Sequence, residues 1–185
     1  YNLLGLILEQ QKKFDQSLEC YKKGIEVDPN FAMIYNNMGV LFFKNRYSGN
    51  AKKIEDFYKR SISLNENISE PHSNLGNLYK SQNKYVEAKK CYKKAIEINP
   101  KFSFALLNLA SLYLSLGNID GAKKTLEEAI RISPNMIEAH RALSRITFYT
   151  DDHKHLIELN KLYNDTDVKN TENRMLLAFS LGKAL

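Results

Sequence analysis

Apolar residues recur at helical spacing along most of this chain, in short runs separated by turn residues. Residues 69–102 show the pattern most clearly. Two apolar stripes lie there, the first made of Leu75, Leu78 and Tyr79 and the second of Ala88, Tyr92, Ala95 and Ile96. Pro71 suits the first turn of one helix, and Asn83 suits the left-handed residue that ends it. The pattern therefore predicts two helices joined by a short turn.

The same helical pair recurs with a period of 34 residues. Pro100 and Pro134 are 34 residues apart, and Gly5 and Gly39 have the same separation. Gly39 and Gly76 are 37 residues apart, so one copy is longer by three. A single pair cannot bury both of its apolar stripes, so successive copies must stack on one another. The sequence thus predicts an all-α protein built from stacked helical pairs.

The period and the residue types resemble those of the tetratricopeptide repeat. Equivalent positions are Leu4-Gly5, Met38-Gly39, Leu75-Gly76 and Leu109-Ala110 on first helices, and Tyr21, Tyr58 and Tyr92 on second helices. Small residues mark two more sets: Ser17, Ala88 and Ala122, then Gly24, Ser61, Ala95 and Ala129. The resemblance implies an α-solenoid, in which helix-turn-helix repeats form a right-handed superhelix and first helices line a concave groove. It also implies a scaffold for protein–protein interaction.

The register divides the chain into six segments. They are a truncated repeat at 1–31, a repeat with the insertion at 32–68, regular repeats at 69–102 and 103–136, a degenerate helical pair at 137–174, and a first helix at 175–185. Because both terminal segments are incomplete, we expect a longer array or a multidomain protein. We also expect the apolar faces at Leu4, Ile7, Leu177 and Leu181 to be frayed or covered by a neighbouring molecule, which allows self-association.

The three extra residues of the longer copy fall in KNRYSGNAKKIEDFY, between its two helices. Ser48-Gly49-Asn50 carries turn chemistry, and Asn50 suits a helix N-cap. Three residues amount to about one helical turn. In one interpretation Ala51–Lys53 extend the second helix without rotating Ile54, Tyr58 and Ser61 away from the core. In the other, which we favour, the three residues are a neutral surface insertion.

No residue set in the sequence indicates catalysis, a metal or a cofactor. Glycine-rich phosphate loops and the G-x-S-x-G nucleophile turn are missing from it. Cys20 and Cys91 lie two repeats apart, too far to pair, which favours reduced thiols in a cytoplasmic protein. His153 and His155 do not share a helix face, so a metal site is disfavoured. Two other histidines at equivalent positions, His72 and His140, are expected to be packing residues. We expect no enzyme activity from this chain, no cofactor and no membrane segment.

The net charge of +6 raises the possibility of nucleic-acid binding. However, the basic pairs, such as Lys89-Lys90 and Lys123-Lys124, fall on second helices and are interleaved with glutamates such as Glu87 and Glu127. Mixed charge of this kind is typical of a solvated face. A nucleic-acid partner is therefore disfavoured, and a protein or peptide partner is expected.

The last 45 residues or so carry a second resemblance. The segment HRALSRITFYTDDHKHLIELNKLYND, followed by LLAFSLGKAL, resembles the linker of bacterial proteins that join a tetratricopeptide array to a sulfotransferase domain. Its most specific elements are Arg145, the Asp151-Asp152 pair and the run Phe179–Leu185. The resemblance implies an attached transferase beyond Leu185, for which this chain would recognise acceptors.

Three asparagines suggest how the groove could bind a partner. Asn37, Asn74 and Asn108 each directly precede the recurring residue pair of a first helix, which ends in a small residue: Gly39, Gly76 or Ala110. A row of amides can hydrogen-bond the backbone of an extended peptide. This row resembles the asparagine ladder of the O-linked N-acetylglucosamine transferase superhelix. The resemblance implies a glycosyltransferase-like parent protein as a further alternative. In the alternative interpretation, these amides only bond between helices.

The rest of the predicted groove is part apolar, part amide and basic toward its C-terminal end. Its residues are Met33, Asn36, Val40, Phe43, Lys44, Asn77, Lys80, Phe104, Leu107, Ser111, Arg141 and Arg145. Compared with the tetratricopeptide repeats that clamp a free C-terminal carboxylate, the groove lacks the full Lys/Asn/Arg set. Ser73, Glu138 and Ala142 stand where clamp-type repeats often carry basic or polar ligands. The sequence therefore favours an extended, acidic partner segment. Two function classes remain open: an interaction scaffold, and the acceptor-recognition region of a larger transferase.

Overall fold

A computed structural model describes residues 1–44, 51–147, 149, 154–165 and 171–184. These residues contain eleven helices and no strand. The helices are α1 (Asn2–Gln10), α2 (Phe14–Val27), α3 (Ala32–Lys44), α4 (Ala51–Leu64), α5 (Ser69–Ser81), α6 (Tyr85–Ile98), α7 (Ser103–Ser115), α8 (Ile119–Ile132), α9 (Ile137–Ser144), α10 (Lys154–Asp165) and α11 (Thr171–Ala184). They form two compact units, residues 1–100 and 101–185.

Adjacent helices pair as antiparallel hairpins, as the 34-residue period predicts. In the first unit α1 packs on α2, α3 on α4 and α5 on α6, and α4 also contacts α5. In the second unit α7 packs on α8, and α8 on α9. The second unit then departs from the pattern, because α11 packs on both α9 and α10. The helix-turn-helix repeat fold of an α-solenoid is confirmed.

A glycine facing a tyrosine sets the close packing within three of the hairpins. The rings of Tyr58 and Tyr92 are almost fully buried and lie against Gly39 and Gly76. A methyl group added to Gly39 would come within 2.5 Å of the Tyr58 ring, and one added to Gly76 within 2.6 Å of the Tyr92 ring. Gly5 meets Tyr21 in the same way. A glycine is therefore required at these positions because the aromatic ring of the paired helix leaves no room for a side chain.

The turns between paired helices share one backbone conformation. Asn83 and Gly117 have φ values of 59° and 71°, the left-handed conformation expected from the sequence. Lys12 occupies the equivalent place with φ 60°, which the sequence did not indicate because lysine has no preference for that region. After the turn at Gly117, the Asn118 side-chain oxygen accepts a hydrogen bond from the Gly121 backbone N–H at 2.9 Å and caps α8.

The helix after the three-residue insertion keeps its register. α4 begins at Ala51, and Ile54, Tyr58 and Ser61 are all buried. The interpretation that Ala51–Lys53 lengthen this helix is wrong, because α4 has 14 residues, as α2, α6 and α8 have, and Ala51 occupies the register of Tyr85 at the start of α6. The three extra residues therefore precede Ala51, and the expectation that the apolar face keeps its orientation is confirmed. The proposed cap at Asn50, the Asp151-Asp152 pair, His153 and Leu185 lie outside the described residues.

One expectation about exposed apolar faces is wrong. Leu177 and Leu181 are buried in a small core with Ile137, Leu156 and Leu159, because α11 folds back over both α9 and α10. At the other end of the chain, Leu4 and Ile7 are about half exposed, as expected.

Both cysteines are free and half-buried, as their distance in the repeat array predicted. Burial raises the pKa of the Cys91 thiol to about 11, so this thiol stays protonated near neutral pH. No helix in the described part of the chain is both long and apolar enough to cross a membrane.

Candidate functional site

The predicted asparagines of the first unit lie in a hydrogen-bonded row between first helices. The Asn74 side-chain N–H donates to the Asn36 oxygen at 2.9 Å, and Asn36 donates to the Asn37 oxygen at 3.2 Å. Asn37 in turn donates to the Asn2 oxygen at 2.8 Å. The row therefore joins α5, α3 and α1, and Asn36 and Asn37 are buried. For these residues the structure has the bonds between helices that the alternative interpretation described.

Asn2 is the member of this row that the sequence analysis missed. It lies 34 residues before Asn36 and three residues before Gly5, just as Asn36 lies three residues before Gly39. The register therefore contained a signal for it. Buried amides are stable only when they are hydrogen-bonded, so the repeated asparagine at this position is explained by packing.

The remaining predicted residues of the first unit have varied environments. Met33 and Val40 on α3 are half-buried, and Phe43 and Lys44 near the end of that helix are exposed. On α5, one predicted residue is hydrogen-bonded within the protein and another is partly buried. The Asn77 oxygen accepts the Tyr92 hydroxyl at 2.8 Å, and burial lowers the pKa of Lys80.

In the second unit, α7 presents the predicted residues Phe104, Leu107, Asn108 and Ser111. Phe104 is exposed and the other three are half-buried. These four residues give this part of α7 a mixed apolar and polar surface. That a partner contacts these four residues stays a prediction.

The last two predicted residues, Arg141 and Arg145, line a cleft of about 630 Å³ between α9 and α11. Ser144 of α9 and Met175, Leu176, Phe179 and Ser180 of α11 complete its lining. We call this cleft the α9–α11 pocket. Both arginines are exposed. Arg141 lies on α9, and Arg145 follows the last residue of that helix, about one helical turn further along the chain.

The α11 side of the pocket is apolar and open to solvent. Phe179 is 78% exposed and Met175 is 64% exposed. The sequence analysis missed these two residues as site residues, although Phe179 occupies the register of Leu107, three residues before the small position of its helix. Guanidinium groups hold carboxylates with paired, charge-assisted hydrogen bonds. Beside exposed apolar side chains, the arginines make the pocket suited to an acidic segment that also carries an apolar residue.

The fold and the repeat period together define a helical repeat protein of the α-solenoid class. Family models identify the repeat itself: models of the tetratricopeptide repeat match residues 69–102 and 91–124, and a TPR repeat model matches residues 2–45. The chain therefore contains tetratricopeptide repeats. None of these matches extends past residue 124, so they do not support the resemblance of the last 45 residues to a sulfotransferase linker.

Solved structures show the same fold. A thermophilic TPR protein from Thermus thermophilus is similar with a TM-score of 0.74 and 18% identity, over 97% of this chain and 96% of that one. YrrB, described as a TPR protein with an unusual peptide-binding site, has a TM-score of 0.61 and 19% identity over 89% and 90% of the two chains. The first TPR of Spaghetti, bound to an HSP90 peptide, has a TM-score of 0.57 and 22% identity over 62% and 89%. A search of curated proteins found no significant match.

Proposed function

We propose that this chain is an interaction scaffold whose α9–α11 pocket binds an acidic segment of a partner protein. The observation that carries the proposal is the arrangement of that pocket, where Arg141 and Arg145 face the exposed Met175 and Phe179 across the cleft. A cytoplasmic location, which two free thiols favour, is part of the same proposal.

The chemistry of the pocket defines the partner. A carboxylate is a group that guanidinium groups bind with paired, charge-assisted hydrogen bonds. An apolar side chain placed next to it would cover Met175 and Phe179. Phenylalanine, methionine and arginine are also enriched in protein interfaces relative to the rest of the surface. We therefore expect a short segment in which an aspartate or glutamate lies close to a large apolar residue.

The comparisons support a binding function at the level of the fold. YrrB and the Spaghetti repeat are described with a peptide-binding site and a bound peptide, and both share the helical repeat with this chain. Their sequence identities are too low to transfer a binding residue. We do not propose that the asparagine row of the first unit binds a partner, because Asn36, Asn37 and Asn74 form hydrogen bonds with other asparagines.

Peptide selection followed by affinity measurement tests the proposal. Segments selected from a random display library on the full chain should be enriched in an acidic residue beside an apolar one. Arg141→Gln should weaken binding of a selected segment by about tenfold or more, since a charge-assisted hydrogen bond contributes about 1.5–3 kcal/mol. Phe179→Ser should weaken it by a similar factor, because burial of a large apolar side chain contributes about 1.5–3 kcal/mol.

Lys124→Gln is the matched control, because it removes one positive charge from an exposed position on α8 of the same unit. It should leave the affinity unchanged. Selected segments without acidic residues, or equal losses in the Arg141→Gln and Lys124→Gln variants, would exclude the pocket as the binding site.

No observation in the described part of the chain favours the transferase alternative over the scaffold. A sulfotransferase-like or glycosyltransferase-like enzyme that uses this chain to recognise acceptors would need the same binding surface. The selection experiment therefore applies to both interpretations.

A further inference from the structure

One methionine of this chain differs from the others in its access to solvent. All four methionines lie among the described residues. Met175 on α11 is 64% exposed, whereas Met38 and Met136 are 5% and 7% exposed and Met33 is half-buried. A thioether in the protein interior meets a dissolved reagent only after local opening of the fold. The sulfur atom of Met175 is therefore the one that a small molecule reaches most readily.

The packing of α11 fixes this exposure. Leu177 and Leu181 lie four residues apart on one face of the helix, and both are buried in the core that also contains Leu159. Met175 and Phe179 are likewise four residues apart. Because two residues along a helix correspond to a rotation of about 200°, their face is opposite to the buried one. The buried leucines thus keep Met175 and Phe179 on the exposed side of α11, where both line the α9–α11 pocket.

A hydroperoxide oxidises a thioether by transferring one oxygen atom. The sulfur lone pair attacks the terminal peroxide oxygen, and the sulfur–oxygen bond forms as the oxygen–oxygen bond breaks. The proton of the hydroperoxide moves to the leaving oxygen, which gives an alcohol, or water from hydrogen peroxide. The sulfur loses two electrons and the peroxide gains them. The product, methionine sulfoxide, is polar where the thioether is apolar, and dedicated reductases convert it back to methionine.

We propose that Met175 is a reversible oxidation site, at which a hydroperoxide converts the α9–α11 pocket into a form that binds its partner weakly. The effect on binding rests on the proposed function, whereas the oxidation itself requires only the exposure of Met175. A sulfoxide replaces part of the apolar lining by a polar group, and an apolar side chain of the partner would then remove water from the sulfoxide oxygen. We expect the affinity to fall by about tenfold, the factor that corresponds to the loss of one large apolar contact.

The two cysteines are the other groups that a hydroperoxide could modify. Both are half-buried and both lie in the first unit, whereas Met175 lies in the second. The thiolate is the reactive form of cysteine, and burial raises the pKa of the Cys91 thiol to about 11. Dithiothreitol reverses a sulfenic acid or a disulfide, but a methionine sulfoxide requires its own reductases. The choice of reductant therefore separates an effect at a cysteine from an effect at Met175.

Timed oxidation of the full chain with hydrogen peroxide tests the site without any ligand. Peptide mapping by mass spectrometry should show that Met175 forms its sulfoxide at least about tenfold faster than Met38 or Met136, because the buried thioethers react only after local opening. In the urea-denatured chain the four methionines should react at similar rates. Equal rates in the folded chain, or faster oxidation of Met33 than of Met175, would overturn the assignment of the site.

Affinity measurements before and after oxidation test the effect on the pocket. A selected acidic segment should bind the oxidised parent about tenfold more weakly. Methionine sulfoxide reductases for both sulfoxide epimers should restore the affinity, and dithiothreitol should not. In Met175→Leu, which keeps an apolar side chain without sulfur, the affinities before and after peroxide should be equal, whatever the starting value. Met33→Leu, which removes the half-buried methionine of the first unit, should keep the tenfold loss of the parent.

The contradicting outcomes are distinct from those of the proposed function. Recovery of affinity with dithiothreitol alone, or the same loss in Met175→Leu as in the parent, would overturn the proposed effect of oxidation. If the selected segments bind outside the pocket, the proposed function fails and the effect on binding fails with it, while the oxidation rates still decide the site. If Arg141→Gln shows that they bind in the pocket and the sulfoxide leaves their affinity unchanged, only the effect of oxidation is overturned.

Discussion

Gly76→Ala should reverse the sign of its effect on stability according to the residue at position 92. In the parent, the new methyl group would lie 2.6 Å from Tyr92 Cε1 and 2.8 Å from Cδ1. The ring is fully buried and its hydroxyl is bonded to Asn77, so it cannot simply rotate away. Overpacking of this kind costs about 1–3 kcal/mol. Alanine recovers about 1 kcal/mol through its better helix propensity, which leaves a net loss of up to about 2 kcal/mol.

The chain itself contains the compensating pair. One repeat later, Ala110 takes the place of Gly76 and Leu126 takes the place of Tyr92, and both are fully buried or nearly so. In a Tyr92→Leu background, Gly76→Ala should therefore stabilise the protein by about 0.5–1 kcal/mol, since only the helix-propensity gain remains. The coupling between the two substitutions should be about 2 kcal/mol, within the range for residues in contact.

A double-mutant cycle in urea, monitored by circular dichroism, measures both effects. Gly182→Ala is the matched control, because a methyl group there meets nothing within 4 Å, and it should not destabilise the protein. If Gly76→Ala has the same effect with tyrosine and with leucine at position 92, the ring contact does not explain the glycine.

Two further predictions concern packing and pH. Ala95→Leu should destabilise the protein by about 1–3 kcal/mol through overpacking of a fully buried position, whereas exposed Lys93→Ala should cost less than about 0.5 kcal/mol in the same denaturant melts; equal costs would refute the assigned register. The hydrogen bond from Lys59, together with one from Tyr79, holds the pKa of Glu55 below its ordinary value of 4.5. This stabilisation is present above pH 4.5 and is lost as the pH falls, so the parent should lose stability more steeply than Glu55→Gln between pH 5 and 3, and parallel curves would contradict it.

Much of the fold could be predicted from the sequence because the same packing contacts recur in successive repeats. The spacing of glycines, prolines and tyrosines placed the helical pairs and put Ile54, Tyr58 and Ser61 on the buried face of α4. These features depend on residues close in sequence or one period apart. Periodicity is sufficient to locate them. The added turn expected in α4 is wrong, because this helix is as long as α6 and α8.

The side-chain partners could not be predicted in the same way. Whether Asn37 faces solvent or Asn2 depends on the distance between two first helices, and the period does not contain that distance. Leu177 and Leu181 were expected to be exposed because α11 was treated as the start of another regular repeat. Its packing across both α9 and α10 buries them. His155 was considered with His153, its neighbour in sequence, whereas in the structure it bonds to His140.

The most direct test of the proposed binding site is an NMR titration of the ¹⁵N-labelled full chain with a selected acidic segment. The largest changes in amide chemical shift should map to α9 and α11, around residues 141–145 and 175–180. They should weaken together in the Arg141→Gln variant and persist in Lys124→Gln. Changes centred on α8 or on the first unit, with α9 and α11 unaffected, would show that the partner binds elsewhere.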